Sequence, residues 1–291
     1  MKKILCLLTA IFLASSAFSE KIPKTTIEAT KMRHFYGERI SITPNDKTVT
    51  ITKDKITIAP KDEGVMYTIS GYFNGQIVNK TKNTVLKLDR VYLENTKGDP
   101  VIYGEAKTEI STSTDTKNYI VASGKPDPRT KSKSKPAAIY CKKNLELGGS
   151  GSLYVVGDVY HGVKADDVKM KGSGNFYIQG TKNGSAINCE NFLVEKDKRF
   201  KAYLLNSKNA IKADYTISIQ SGMFYIYNNE TAFKTDTKKD DPKNPHSVTL
   251  SGDTMVFTTP DTEIYETEKN AYNKADGVVV SDTNLRYDRT F

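Results

Sequence analysis

Ala138-Ile139-Tyr140-Cys141, Gly162-Val163-Lys164-Ala165, Ala186-Ile187-Asn188-Cys189, Ala210-Ile211-Lys212-Ala213 and Ala232-Phe233-Lys234-Thr235 are five versions of one short segment. Their apolar second residues, Ile139, Val163, Ile187, Ile211 and Phe233, fall 24, 24, 24 and 22 residues apart. A fixed period of this length, carried by short strand-like runs between glycine turns, is the mark of a repeat architecture. Trp is absent, Tyr, Thr, Val and Ile abound, and no long window has an apolar stripe at a period of 3.6, so the chain reads as all-β. The period predicts a single-stranded parallel β-helix with coils of about 24 residues.

Two more apolar columns follow from the first. One runs Leu145, Val168, Phe192 and Ile217, with Leu147, Met170, Val194 and Ile219 two residues on. The other runs Leu153, Phe176, Phe200 and Phe224. Three columns predict three short strands and three turns per coil, with like residues stacked into a narrow interior. Gly148-Gly149-Ser150-Gly151, Gly172-Ser173-Gly174 and Ser221-Gly222 supply tight corners.

Upstream, Val49, Ile51, Ile56 and Ile58 alternate with polar residues at period two, so the strand domain is expected over residues 48–291. Residues 20–47 are mixed and polar and are expected to form an irregular cap over the open end of the solenoid. Two basic or acidic stretches, 123–135 and 238–246, break the pattern and are expected to be insertions within single turns. Residues 1–19 have a basic start, Lys2-Lys3, an apolar run, Ile4 to Leu13, and small residues in Ala17-Phe18-Ser19. They read as a secretory signal peptide cut near Ser19, so the mature chain is expected to be secreted, periplasmic or at the cell surface. No later segment is long and apolar enough to span a bilayer as a helix.

The formal charge is +9, which suits an anionic partner; export turns the reading away from nucleic acid and toward acidic polysaccharide or lipid headgroups. Outside the leader, the cysteines are Cys141 and Cys189, at equivalent places two coils apart. Strands stack ~4.8 Å apart, which separates these positions by roughly 9.6 Å, beyond the ~7 Å limit for a disulfide. Two unbridged thiols facing the interior are expected.

On the outside of the coils, Asp166, Glu190, Asp214 and Asp236 each stand three residues after a first-column residue. Carboxylates stacked one strand apart repel unless a cation lies between them. Ca²⁺ suits such oxygens, with Asp240 and Asp241 able to complete a site beside Asp236. Lys164, Lys212 and Lys234, two residues earlier, offer the alternative of salt-bridge ladders. Tyr154, Tyr177 and Tyr225 each follow a third-column residue, with Lys201 in the intervening coil and Tyr227 nearby. They are expected to form an exposed aromatic ladder on which sugar rings stack, or tyrosines that simply suit a sheet surface. No nucleophile elbow, phosphate loop or acid–base carboxylate pair is present. Lys212 beside Asp214 and Asp236 is the one candidate for a catalytic base.

A set of stretches carries a family resemblance: Tyr67-Thr-Ile-Ser-Gly71, Gly75-Gln-Ile-Val78, Leu86-Lys-Leu-Asp-Arg-Val-Tyr-Leu-Glu-Asn95, Pro100-Val-Ile-Tyr103, Ala138-Ile-Tyr-Cys-Lys-Lys-Asn-Leu-Glu-Leu147 and His161-Gly-Val-Lys-Ala-Asp166. In order and spacing these resemble exported bacterial carbohydrate-binding β-helix proteins, typified by calcium-binding surface proteins that take polygalacturonate and cellulose. The resemblance implies a right-handed parallel β-helix related in fold to pectate lyases, with calcium and acidic-sugar binding and no established catalysis. The chain departs from the family at the turn before the first column. Where the family often has Asp, this sequence has Ala137, His161, Ser185, Asn209 and Thr231. The expected function is thus non-catalytic binding of an acidic or plant cell-wall polysaccharide by a monomer. A calcium-dependent polysaccharide lyase and a structural or adhesin solenoid are the alternatives.

Overall fold

A computed structural model describes residues 39–98, 100–124, 136–236, 246–267 and 272–282. The signal peptide, nearly all of both expected insertions and the C-terminal tail lie outside these residues, as do Asp240 and Asp241. All the strands among the described residues belong to one 23-stranded sheet. Strands one period apart pair in parallel, so that Ile139 lies beside Val163, Val163 beside Ile187, Ile187 beside Ile211, and Ile211 beside Phe233. All five are fully buried.

The expected open right-handed β-helix is corrected by how the sheet closes: the strands form a ten-strand parallel β-barrel. The circuit runs through Thr84–Asn95, Lys117–Ala122, Ser152–Gly157, Asn175–Gln179, Lys201–Leu205 and Asn209–Tyr227. It returns through Ser185–Val194, Asp167–Met170, Leu145–Gly149 and Thr108–Thr112 to Thr84–Asn95. Every pairing in that ring is parallel. Closure depends on strands that run through the corners where the period suggested breaks. The longest described, Asn209–Tyr227, has 19 residues and pairs along both edges. Register shifts between Cys189 and Asn191 and between Ile219 and Ser221 let a strand bend without leaving the ladder. Left-handed Gly222 (φ 93°) and Arg90 (φ 57°) stand at such bends. The ring itself has no free lateral edge, whereas Glu263–Glu266 and Val279–Asp282, outside it, pair on one side only among the described residues.

The N-terminal end differs as well. Part of the stretch expected to be irregular, Ile40–Thr43, is a strand pairing antiparallel with Met66–Asn74, and Val49–Ile51 pairs antiparallel with Lys55–Ile58.

The second column pairs as read: Leu145, Val168, Phe192 and Ile217 are register partners. The third does not. Leu153, Phe176 and Phe224 are joined by Ala202, not Phe200. The turn before Ala202 is two residues longer than the one before Phe176, which shifts the register. Phe200 still reaches the interior, where its ring meets Phe176 and Phe224 edge-on at 5.7 Å. It fills the volume that Ala202 leaves, as dense packing requires.

Cys141 and Cys189 are buried and unbridged, as expected. Gly104 lies beside Cys141 in register. A Cβ on Gly104 would sit 2.5 Å from the Cys141 sulfur, so the glycine makes room for the thiol. Burial pushes the Cys141 thiol up to about 12 and raises that of Cys189 as well.

Candidate functional site

The outward residue after each first-column residue forms a file across parallel strands: Tyr103, Tyr140, Lys164, Asn188, Lys212, Lys234 and Glu266. Alternation along each strand produces the file, because a residue next to an inward apolar side chain must point outward. At its centre lies a cleft of about 600 Å³ lined by Tyr160, His161, Asn183, Ser185, Asn188, Lys208, Asn209, Lys212 and Lys234. Among the described residues its charged groups are three lysines, and no carboxylate lines it. His161, Ser185 and Asn209 are the first residues of the strands that carry the first column. His161 is buried, its Nδ1 accepts a hydrogen bond from the Ser185 backbone N–H at 3.0 Å, and its ring meets Tyr160 edge-on at 4.6 Å. Lys212 lies 3.7 Å from Asp236 on the next strand, and Lys234 bonds Glu266. Such half-exposed pairs contribute about 0–1 kcal/mol each, so a ligand carboxylate can displace them cheaply.

Above the cleft, the rings of Tyr103 and Tyr140 lie 5.6 Å apart, tilted by 51°. Both are half-buried. The Lys142 ammonium sits 5.5 Å from the Tyr103 centroid and that of Lys164 5.5 Å from the Tyr140 centroid, within cation–π range. Burial raises the Tyr140 phenol above its ordinary range.

The tyrosines read as an exposed ladder form a longer stack, and a buried one. Tyr92, Tyr119, Tyr154, Tyr177, Tyr203, Tyr225 and Phe257 succeed one another, with centroids 4.4–4.8 Å apart from Tyr119 to Tyr225. Tyr154 is 3% exposed, Tyr177 9% and Tyr225 6%. The expectation of an exposed platform is therefore corrected: the stack belongs to a second apolar cluster, on the opposite face of the sheet from the main core. Tyr203 fills the place assigned to Lys201, which instead lies beside Asn175 and Met223 in register. Tyr227 is half-buried beside Leu205. The shift of two residues before Ala202 accounts for the exchange of Lys201 for Tyr203.

The acidic file keeps its order along the sheet, but its members are not gathered into a cage. Asp166 lies 3.6 Å from Lys143, and Asp236 is the partner of Lys212. Glu190 is exposed and Asp214 half-buried. Among the described residues no three His, Cys, Asp or Glu side chains stand together as metal ligands. The strand starts next to the cleft offer imidazole, hydroxyl and amide, not the carboxylates a calcium site prefers. The cleft's own lining does not fit a calcium cage; calcium at the acidic file, for which Asp240 and Asp241 lie outside the described residues, is a separate proposal.

The cleft was legible in part. Each lysine of the file follows a first-column residue, but the sequence suggested them as counterions for the acids, and Lys212 also as a catalytic base, not as a ligand-binding row. Tyr103 and Tyr140 escaped notice because the first, with Ile102, belongs to a rung 37 residues upstream, beyond the regular period.

No curated protein matches the chain. Among solved structures, a polysaccharide lyase-like protein from C. thermocellum, solved as a gadolinium derivative, is similar over 79% of this chain and 94% of its own. The TM-score is 0.51 and the identity 21%, a likeness of fold. Residues 45–204 match the family described as carbohydrate-binding domain-containing protein, a span holding Tyr103, Tyr140, His161 and Asn188 and ending just before Lys208. As that match runs over more than half of its length, the chain belongs to this carbohydrate-binding domain-containing family.

Proposed function

We propose that the protein is a non-catalytic binder of acidic polysaccharide and that the lysine-lined cleft is where it takes the sugar. The observation carrying this reading is the lining itself: three ammoniums, three asparagine amides and two half-exposed or buried rings, with no acidic side chain among them. Ammoniums attract uronate carboxylates, amides bond hydroxyls, and family membership supports a carbohydrate ligand. The basic balance of the whole chain favours the same partner. Export, at the level of the first 19 residues, is part of the proposal.

Calorimetric titration with polygalacturonate and with an uncharged glucan tests it. Binding is expected for the first alone, weakening from 0.1 M to 1 M salt as the screening length falls from ~10 Å to ~3 Å. Equal affinity for both polymers would overturn the reading. Calcium at Asp166, Glu190, Asp214 and Asp236 is a separate proposal, answered by titration with and without a chelator.

A second reading, polysaccharide lyase, draws on two observations: the similar structure is itself described as polysaccharide lyase-like, and His161 faces the same cleft as Lys212. A lyase would release unsaturated uronates, which absorb in the ultraviolet. Their accumulation during incubation with polygalacturonate would favour it over pure binding.

A further inference from the structure

We infer that the sugar chain lies across the strands along the whole outward file, from Lys234 up to an aromatic subsite formed by Tyr103 and Tyr140, and that this subsite takes a uronate. The inference rests on the proposed binding of acidic polysaccharide and extends it beyond the cleft. Tyr103, Tyr140, Lys164, Asn188, Lys212 and Lys234 are consecutive register partners on six parallel strands. Five strand spacings of ~4.8 Å give a track of about 24 Å. An extended pyranose chain advances by about one strand spacing per sugar, so successive residues of the glycan meet successive residues of the file.

The subsite has the composition a uronate requires. A pyranose ring has an apolar C–H face, which packs on an aromatic ring, and a uronate also carries a carboxylate at its rim. Tyr103 and Tyr140 supply two half-exposed rings, 5.6 Å apart. Lys142 and Lys164 each hold an ammonium 5.5 Å from one ring centroid. Lys142 is exposed and its ammonium bonds the Tyr103 hydroxyl, so it meets a carboxylate at the rim of that ring. The pair is continuous with the cleft, because Lys164 adjoins both Tyr140 and Asn188 in register.

The test is calorimetry with galacturonate oligomers of increasing length, from dimer to octamer. Affinity is expected to climb with length until the track is filled, at about five or six residues by the strand spacing, and then to level off. Tyr140→Ala should weaken the longest oligomers about tenfold, the factor that ~1.4 kcal/mol carries, leave the trimer unchanged and move the plateau to shorter chains. Tyr140→Phe, which keeps the ring, should bind as the unaltered protein does and controls for folding together with a melting curve. If Tyr140→Ala binds long oligomers normally while Lys212→Ala weakens every length, the aromatic subsite is refuted and the cleft stands. If neither variant changes any affinity, the cleft itself is refuted.

Discussion

Replacing Tyr177 by Ala should destabilise the fold severely while leaving the sugar site intact. The Tyr177 ring is sandwiched between Tyr154, at 4.5 Å and 4° from parallel, and Tyr203, at 4.4 Å and 9°, and is 9% exposed. Truncation exposes or voids about 150 Å² of apolar surface, worth ~4 kcal/mol at ~25 cal/mol per Å². Two lost stacking contacts add ~0.5–1.5 kcal/mol each, and partial collapse of the neighbours gives some of this back, leaving about 3–5 kcal/mol. Unfolding entropy scales with length at ~2.1 cal/mol/K per residue, so a loss of ~4 kcal/mol lowers Tm by about 6–7 °C in a chain of this size. Tyr177→Phe keeps both stacking faces and should shift Tm by no more than ~2 °C. Thermal unfolding followed by circular dichroism measures both, and titration with polygalacturonate below the transition checks the site. If Tyr177→Ala melted normally but lost polysaccharide, the ring would be an exposed sugar platform and the burial argument would fail.

Lys212→Ala should weaken polygalacturonate binding about fivefold at low salt, the worth of roughly 1 kcal/mol for one half-exposed charge contact, and the difference should shrink in 1 M salt; an unchanged titration would exclude Lys212 from the site. Burial opposes ionisation of Glu146, but hydrogen bonds from Lys107 and Lys171 outweigh it and hold its carboxyl down at about 2. Because the folded value is depressed, the stabilisation is complete above the ordinary value of 4.5 and is lost as pH falls from there toward 2. Glu146→Gln should therefore cost about 1 kcal/mol at neutral pH after solvent screening and progressively less as pH falls from 4.5 through about 2, checked by urea unfolding across that range. Gly104→Ala should destabilise by about 1–3 kcal/mol through overpacking against the Cys141 sulfur, and adding Cys141→Ala should recover part of the loss; equal losses in the single and double variants would refute the contact. Cys141 and Cys189 should react with a thiol reagent only on unfolding, because both are buried and raised in pKa.

What the sequence determined by itself was spacing. Ile139, Val163, Ile187, Ile211 and Phe233 pair across the sheet in the order their period requires, because side chains one period apart must stack to bury a shared apolar face. The unbridged state of Cys141 and Cys189 followed from the same register, since the rung of Ala165 lies between them. Tertiary structure decided the rest. Closure into a barrel depends on strands continuing through bent corners, and a local pattern of apolar residues does not say whether the hydrogen-bond ladder survives the bend. The exchange of Lys201 for Tyr203 in the stack came from two extra residues in one turn, which shift the facing partner while leaving the apolar count unchanged. Burial of Tyr154, Tyr177 and Tyr225 was equally hidden: alternation places a side chain on a face of the sheet, but only packing decides whether that face meets water. The cleft combines both kinds of information. Lys212 and Lys234 follow from periodicity, whereas Lys208 and the convergence of all three with His161, Ser185 and Asn209 exist only once the strands lie side by side.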